Sequence, residues 1–226
     1  DEDAKKGPDQ SQVLLLPSAY PASAGTLNWE DRNGDNKITK GSWTLNDHGD
    51  YSVIGNSSIR YRFGATLSAS WNGVDLSAFF QGVLKHQYAP TPDDKFFWGK
   101  YRAPWYNEPY GTYYDRWTVE NQNVNAYFPR LWLPNAQSTN HELGIPQTRY
   151  LQNAAYIRLK NLTLGYTLPQ KWVSKLNIKR LRVYYSGENL CFLTGLYKYY
   201  KMDPENLDFA KYPLQRNNSI GVNITF

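Results

Sequence analysis

Arg216-Asn-Asn-Ser-Ile-Gly-Val-Asn-Ile-Thr-Phe226 closes the chain on a strict alternation. Ile220, Val222, Ile224 and Phe226 share one parity, and Gly221, Asn223 and Thr225 take the other. Side chains of an extended strand point alternately to opposite faces, so this stretch reads as a strand with one apolar and one polar face. About ten alternating residues is also the length of a tilted strand that crosses a bilayer. An amphipathic strand closing a soluble sandwich satisfies the same pattern, and the segment alone leaves both readings open. Its ending on an aromatic, with no polar tail, raises the expectation of an outer-membrane β-barrel strand.

Working outward, the same period recurs upstream. Tyr61, Phe63, Ala65, Leu67, Ala69 and Trp71 alternate with Arg62, Gly64, Thr66, Ser68 and Ser70. Asn72-Gly73 follows at once, and both central residues of a type I′ hairpin turn need positive φ. The return strand runs from Val74 to about Val83, with Val74, Leu76, Ala78 and Phe80 on one face. A third strand spans Tyr156 to about Leu168, but its parity slips: Ile157 and Leu159 are apolar, then Leu162, Leu164 and Tyr166. A bulge near Lys160-Asn161 would re-aim the side chains in this way. The connection from Pro169 to Leu176 is short, with room for one helical turn, and a fourth strand covers Arg180 to about Cys191.

Five strands result, joined by connections that alternate short and long. Residues 84–154 and 194–215 are the long ones, residues 1–59 are polar and turn-rich, and residues 60–226 hold the strands. Short turns on one side and long loops on the other is the asymmetry of outer-membrane barrels, and it favours a barrel over a sandwich. The expected fold class is all-β, the last strands of a large antiparallel transmembrane barrel. The opening Asp1-Glu-Asp-Ala-Lys-Lys-Gly-Pro8 reads as the middle of a surface loop, so the chain is expected to be a piece of a longer polypeptide.

Composition narrows the alternatives. Tyr (19), Trp (8) and Phe (9) make up 16% of the chain, while 16 Gly and 13 Pro favour strands and loops over helices. No run of about 18 apolar residues exists, which excludes a membrane-spanning helix but not a barrel. The net charge of +5 is spread along the chain with no basic block, so nucleic acid is not an expected partner. A single cysteine, Cys191, excludes an internal disulfide and a CxxC metal site, and it reads as a half-buried strand residue.

Several phrases then stand together in order: Trp29-Glu-Asp-Arg-Asn-Gly-Asp-Asn-Lys-Ile-Thr39, Val53-Ile-Gly-Asn56, Phe79-Phe-Gln-Gly82, Tyr156-Ile-Arg-Leu-Lys-Asn-Leu-Thr-Leu-Gly-Tyr-Thr-Leu-Pro169 and Ser186-Gly-Glu-Asn-Leu190. With them, residues from about 25 to 226 resemble the C-terminal part of SusC/RagA-type TonB-dependent outer-membrane transporters of the Bacteroidetes. The resemblance implies a 22-strand barrel with an N-terminal plug. It also implies a TonB-contacting segment at the far N-terminus and a SusD-type surface lipoprotein as a lid. Such transporters import oligosaccharides, or peptides in some members. Five strands do not close a barrel, so the implied partners of this chain are the upstream remainder of the barrel and plug, the lipoprotein, and the TonB complex through that upstream part. An oligosaccharide is the expected cargo and a peptide the alternative.

Candidate site residues fall in the loops. Asp31, Asn33 and Asp35 place oxygens at alternate positions, like the first half of an EF-hand-type calcium loop. Asn36 stands where that loop has Gly, Lys37 offers only its carbonyl, and Ser42 occupies the twelfth position, leaving Asp47 or Asp50 to complete a shell. An Asx-rich turn needing no metal fits the same residues; no cofactor is required, and calcium is the candidate. Trp98, Trp105, Tyr106, Trp117 and Trp132 are the expected substrate or lid contacts, since rigid rings stack on sugars and enrich interfaces. The competing reading is that they pack the long loop against itself. Trp71, Tyr166, Trp172 and Phe226 fall at strand ends, where an interfacial aromatic girdle would sit. His48, His86 and His141 lie in different loops, and Asp93, Asp94, Asp203, Glu205 and Asp208 read as solvated loop charges, so no catalytic set emerges. The expectation is a transporter; a soluble β-sandwich glycan-binding module and a carbohydrate-active hydrolase are the alternatives.

Overall fold

The computed structural model describes residues 24–103, 105–106, 115–131, 142–196, 202–207, 212 and 214–226. In chain order the strands are β1 (Arg60–Trp71), β2 (Val74–Lys85), β3 (Gln87–Tyr88), β4 (Gln152–Asn153), β5 (Tyr156–Thr167), β6 (Arg180–Thr194) and β7 (Asn217–Thr225). Of these, β3 and β4 are two-residue strands. The five long strands form one antiparallel sheet in the order β1-β2-β5-β6-β7. The chain divides into two compact units. One holds residues 1–56, 88–152 and 199–201, and the other holds the sheet, from 57–87, 153–198 and 202–226.

The sheet follows its local chemistry closely. Asn72 (φ 46°) and Gly73 (φ 83°) both adopt the left-handed region, as the two-residue turn between β1 and β2 requires. The short connection from β5 to β6 begins at Pro169, runs through a single helical turn, α2 (Gln170–Val173), and ends in a 3-10 turn at Asn177, φ 54°. That connection buries Val173 and leaves Trp172 exposed. The 72–73 turn, the 169–177 connection and the end of β7 lie at one end of the sheet, because Trp71 pairs with Val74 and Arg180 with Thr225. The long connections leave from the other end.

The expected bulge is present, and its mate lies in the next strand. On the β2 side, Phe79 and Phe80 oppose Asn161 and Leu159, so Lys160 is the extra residue of β5. On the β6 side, Leu159 and Asn161 oppose Cys191 and Glu188, so Asn189 and Leu190 together oppose Lys160. Asn189 takes φ 51°, a conformation that Asn tolerates better than most residues. Consecutive Lys160 and Asn161 thereby share one face, which accounts for the parity slip. The expected boundaries of β2 and β6 were short: both strands run further, to Lys85 and Thr194. Cys191, expected to be half-buried, is exposed.

The other unit has an aromatic core. Its short helix α1 (Lys95–Trp98) is capped by Asp94, a carboxylate expected to be solvated but in fact buried, which accepts the Phe97 N–H at 3.1 Å and the Tyr88 hydroxyl at 3.1 Å. Phe97, Trp98, Tyr101, Phe128 and Tyr150 are buried against one another, with Phe97–Trp98 centroids at 4.7 Å and Trp98–Tyr150 at 5.0 Å, both edge-to-face. Buried rings with polar atoms need partners. Here Trp98 Nε1 donates to Thr91 O at 2.8 Å, Tyr101 Oη to Pro129 O at 2.6 Å, and Tyr150 Oη to Tyr127 O at 3.2 Å. Burial pushes the Tyr150 phenol well above its ordinary pKa.

Candidate functional site

The sheet presents two faces of opposite chemistry. Trp71–Val74–Tyr166–Val183–Val222 and Ala69–Leu76–Leu164–Tyr185–Ile220 form rows across all five strands. Apart from half-buried Tyr185 their large members are exposed, and Ile220 reaches 80%. The rows Ser68–Ser77–Thr163–Ser186–Ser219 and Thr66–Phe79–Asn161–Glu188–Asn217 run across the opposite face. An apolar face this continuous is larger than an ordinary solvent-facing surface tolerates. The pattern is that of strands set between an apolar medium and water.

Two groups of charges on the polar face are held in fixed pairs. Arg182 of β6 donates from Nε to Asp75 Oδ1 of β2 at 2.8 Å and from Nη2 to Oδ2 at 2.5 Å, with its guanidinium 4.9 Å from the Tyr184 ring. The bridge passes over Gly165 of β5. A Cβ there would run into Arg182 Nη2 and Asp75 Oδ1, so glycine lets the bridge close without shifting. At the other end of the sheet, Arg158 pairs with Asp203 and approaches Glu205 Oε1 at 3.2 Å through Nε, while Lys160 donates to Glu205 Oε2 at 2.6 Å. Sequence reasoning took Asp203 and Glu205 for solvated charges; they are instead the partners of the wall cations. The signal was faint, since the partners lie 45 residues apart. An unexplained glycine inside a strand was the one hint available for the Asp75–Arg182 pair.

The loop candidates separate by burial. Trp98 is 1% exposed and belongs to the aromatic core. Trp117 is buried too, packed against Gly25 with Arg130 5.7 Å from its ring. Trp105 is 72% exposed, with half-buried Tyr106 edge-on at 6.1 Å. Trp132 lies outside the described residues, as does His141. Of the girdle candidates, Trp71, Tyr166, Trp172 and Phe226 are all exposed at the short-turn end of the sheet.

Asp31, Asn33 and Asp35 are brought together as a chain of Asx turns. Asp31 accepts the N–H groups of Gly34 (2.7 Å) and Asn36 (2.8 Å), Asn33 Oδ1 accepts that of Asp35 (3.0 Å), and Asp35 Oδ1 accepts that of Lys37 (2.8 Å). Asp50 joins them by accepting from Arg32 N (2.8 Å) and Thr39 N (2.7 Å). Among the described residues no group of three His, Cys, Asp or Glu side chains converges on a common point. Asp47 clasps the next turn: the Ser42 hydroxyl and N–H donate to it and hold its carboxyl below the usual range. A cleft of about 310 Å³ lies beside these turns, lined among others by Trp29, Arg32, Tyr51, Ile54, Gln147 and Arg149.

Similar proteins carry the same architecture. No family model matches the chain. TonB-dependent receptor P26 of Formosa agariphila is 25% identical over 91% of this chain, and TonB-dependent receptor P3 of the same organism is 31% identical over 46%. The chain spans 20% of the first and 12% of the second, about a fifth or less of each. A solved RagAB peptide transporter is 28% identical over 72% of this chain and 17% of its own, with a TM-score of 0.53. The RagAB peptide importer in its open-open state matches in fold over 90% of this chain, with a TM-score of 0.59. Fold and face together define the class: an antiparallel, two-faced all-β sheet that matches part of the barrel of TonB-dependent transporters. Within it, the chain is similar to part of a SusC/RagA-type transporter. Its relatives are receptors and transporters rather than enzymes.

Proposed function

We propose that this chain forms part of the wall and mouth of an outer-membrane nutrient importer. The five strands sit in the bilayer with the apolar face to lipid and the polar face to the lumen. The observation that carries this reading is the pair of contrasting row patterns on opposite faces of one sheet, and the likeness to TonB-dependent receptors supports it. The short turns lie on the periplasmic side, and residues 1–59, 84–154 and 194–215 on the extracellular side. Energy reaches the barrel through TonB, and a SusD-type lipoprotein covers the mouth. Oligosaccharide is the cargo proposed from the resemblance, with exposed Trp105, its neighbour Tyr106, and Trp132 as contacts. Trp98 and Trp117 act by shaping the segment that presents them.

Peptide cargo is a second reading, favoured by the RagAB structures, which are peptide transporters. Competition of labelled oligosaccharides and labelled peptides for uptake by cells carrying the complete transporter separates the two. A calcium ion at Asp31, Asn33 and Asp35 belongs to the same proposal, and calcium-dependent hydrogen exchange of residues 31–37 tests it. Sidedness is tested by thiol labelling in a Cys191→Ser background. Asn121→Cys reacts with an impermeant reagent on intact cells and Lys175→Cys does not; the reverse result overturns the topology.

A further inference from the structure

The polar face carries a device that the transport reading does not use. Asp203-Pro204-Glu205-Asn206 forms a tight turn in which the Asn206 N–H donates to Asp203 O at 2.9 Å and the Glu205 N–H to Asp203 Oδ1 at 2.9 Å. Asp in the first place and Pro in the second is the preferred chemistry of a type I turn, so this segment is shaped locally before it docks. The turn aims both carboxylates at β5. Arg158, only 2% exposed, donates to Asp203 and lies beside Glu205, with its guanidinium 4.7 Å from the Phe192 ring of β6. Lys160 reaches Glu205 and also donates to Asn189 Oδ1 at 3.2 Å, so the paired bulges of β5 and β6 set its position. The far side of the connection is tied as well: Asn206 Nδ2 donates to Tyr212 O at 3.0 Å, and Asn189 Nδ2 to Gln215 O at 3.1 Å.

We infer that residues 202–207 are a latched strap, folded from the β6–β7 connection onto the polar face and held there by Arg158 and Lys160. Two cations meet two carboxylates, so the wall is neutralised only while the strap is down. A loop that merely hung in solvent would leave Arg158 accessible; here the strap covers it. A buried guanidinium stripped of its partners is strongly unfavourable, which keeps the latch closed by default. The inference rests on the reading of this face as the lumen wall. On that reading the strap narrows the passage at the end from which the long connections leave, and its release widens it.

Hydrogen exchange of the complete transporter in detergent, followed at the amides of residues 202, 203 and 205–207, tests the latch. The double variant Asp203→Asn/Glu205→Gln alters only the strap and is expected to raise exchange there at least tenfold, with β5 and β6 unchanged. Arg158→Glu is expected to release the strap too, and adding Asp203→Arg and Glu205→Arg to restore protection. Unchanged exchange in the strap double variant overturns the latch, even if Arg158→Glu fails to fold. A second readout tests the narrowing: Ser186→Cys, in a Cys191→Ser background on intact cells, is labelled faster by a bulky impermeant maleimide when the strap is released. Faster exchange with unchanged labelling overturns the narrowing while the latch stands. Failure of the unaltered protein to fractionate with the outer membrane would sink the barrel reading itself, a separate result.

Discussion

Trp71, Tyr166 and Phe226 stand exposed on the sheet, whereas Phe97, Trp98, Tyr101, Phe128 and Tyr150 are buried in the other unit. The two regions spend the same residue type in opposite ways. On the sheet, apolar side chains such as Leu67, Trp71, Leu76, Leu164, Val183, Ile220 and Val222 fall at every second residue and stand exposed on one face, so they cover nothing within the chain and require an external apolar medium. In the other unit the buried rings Phe97, Trp98, Tyr101, Phe128 and Tyr150 follow no period and pack on one another, with Trp98, Tyr101 and Tyr150 each donating to a backbone carbonyl. Exposed apolar rings on a regular frame therefore mark an environment, while buried rings in an irregular segment mark a core. Counting aromatics does not separate the two cases; period and burial do.

Substitutions sharpen that contrast. The largest effect is expected at Trp98→Ala, where losing a fully buried indole costs about 3–5 kcal/mol. Trp105→Ala, at an exposed site, should stay within about 0.5 kcal/mol. Protease resistance of residues 88–152 in the folded protein reads the difference; equal resistance in both variants would break the assignment of a core. Next, Val183→Arg on the apolar face should cost roughly 2–4 kcal/mol of barrel stability and Ser186→Arg on the polar face far less. Urea unfolding in lipid bilayers measures both, and equal costs would mean that the faces are misassigned.

A smaller effect is expected at the bulge. Asn189→Ala places a residue with a full Cβ at φ 51° and deletes the amide that reaches Gln215. The cost is about 1–2 kcal/mol, and Asn189→Gly should recover the backbone part. If alanine and glycine behaved alike, the left-handed conformation would not be what selects asparagine there. The smallest effect concerns Asp47, whose folded pKa is depressed by Ser42. Stability from a depressed carboxylate is present above its unfolded pKa and lost as pH falls through the folded value. The turn around residues 42–47 should therefore loosen below about pH 4. Ser42→Ala should remove that pH dependence, as hydrogen exchange can show.

The sheet was legible because its rules are local. Alternation gave the faces, Asn72-Gly73 gave the hairpin, and the slip after Leu159 gave the bulge, each within a few residues. The aromatic unit was not legible, because Trp98 and Trp105 look alike in sequence; only Asp94, the N-cap that turns α1 inward, separates their fates. The ionic partners were hidden for another reason. Asp75 meets Arg182 across 107 residues and Asp203 meets Arg158 across 45, distances set by sheet order rather than by any local pattern. Loop carboxylates are usually solvated, and nothing near Asp203 except the turn-forming Pro204 marks it as different.

The central claim is that one face of this sheet meets lipid and the other meets water. A cysteine scan along β6 at positions 181–188, in a Cys191→Ser background of the complete transporter in bilayers, tests it most directly. Each thiol is spin-labelled, and its collision rates with oxygen and with a water-soluble relaxant are compared. The account predicts a period of two: positions 181, 183 and 185 favour oxygen, while 182, 184, 186 and 188 favour the water-soluble relaxant. Equal access of the relaxant to both sets of positions would contradict it.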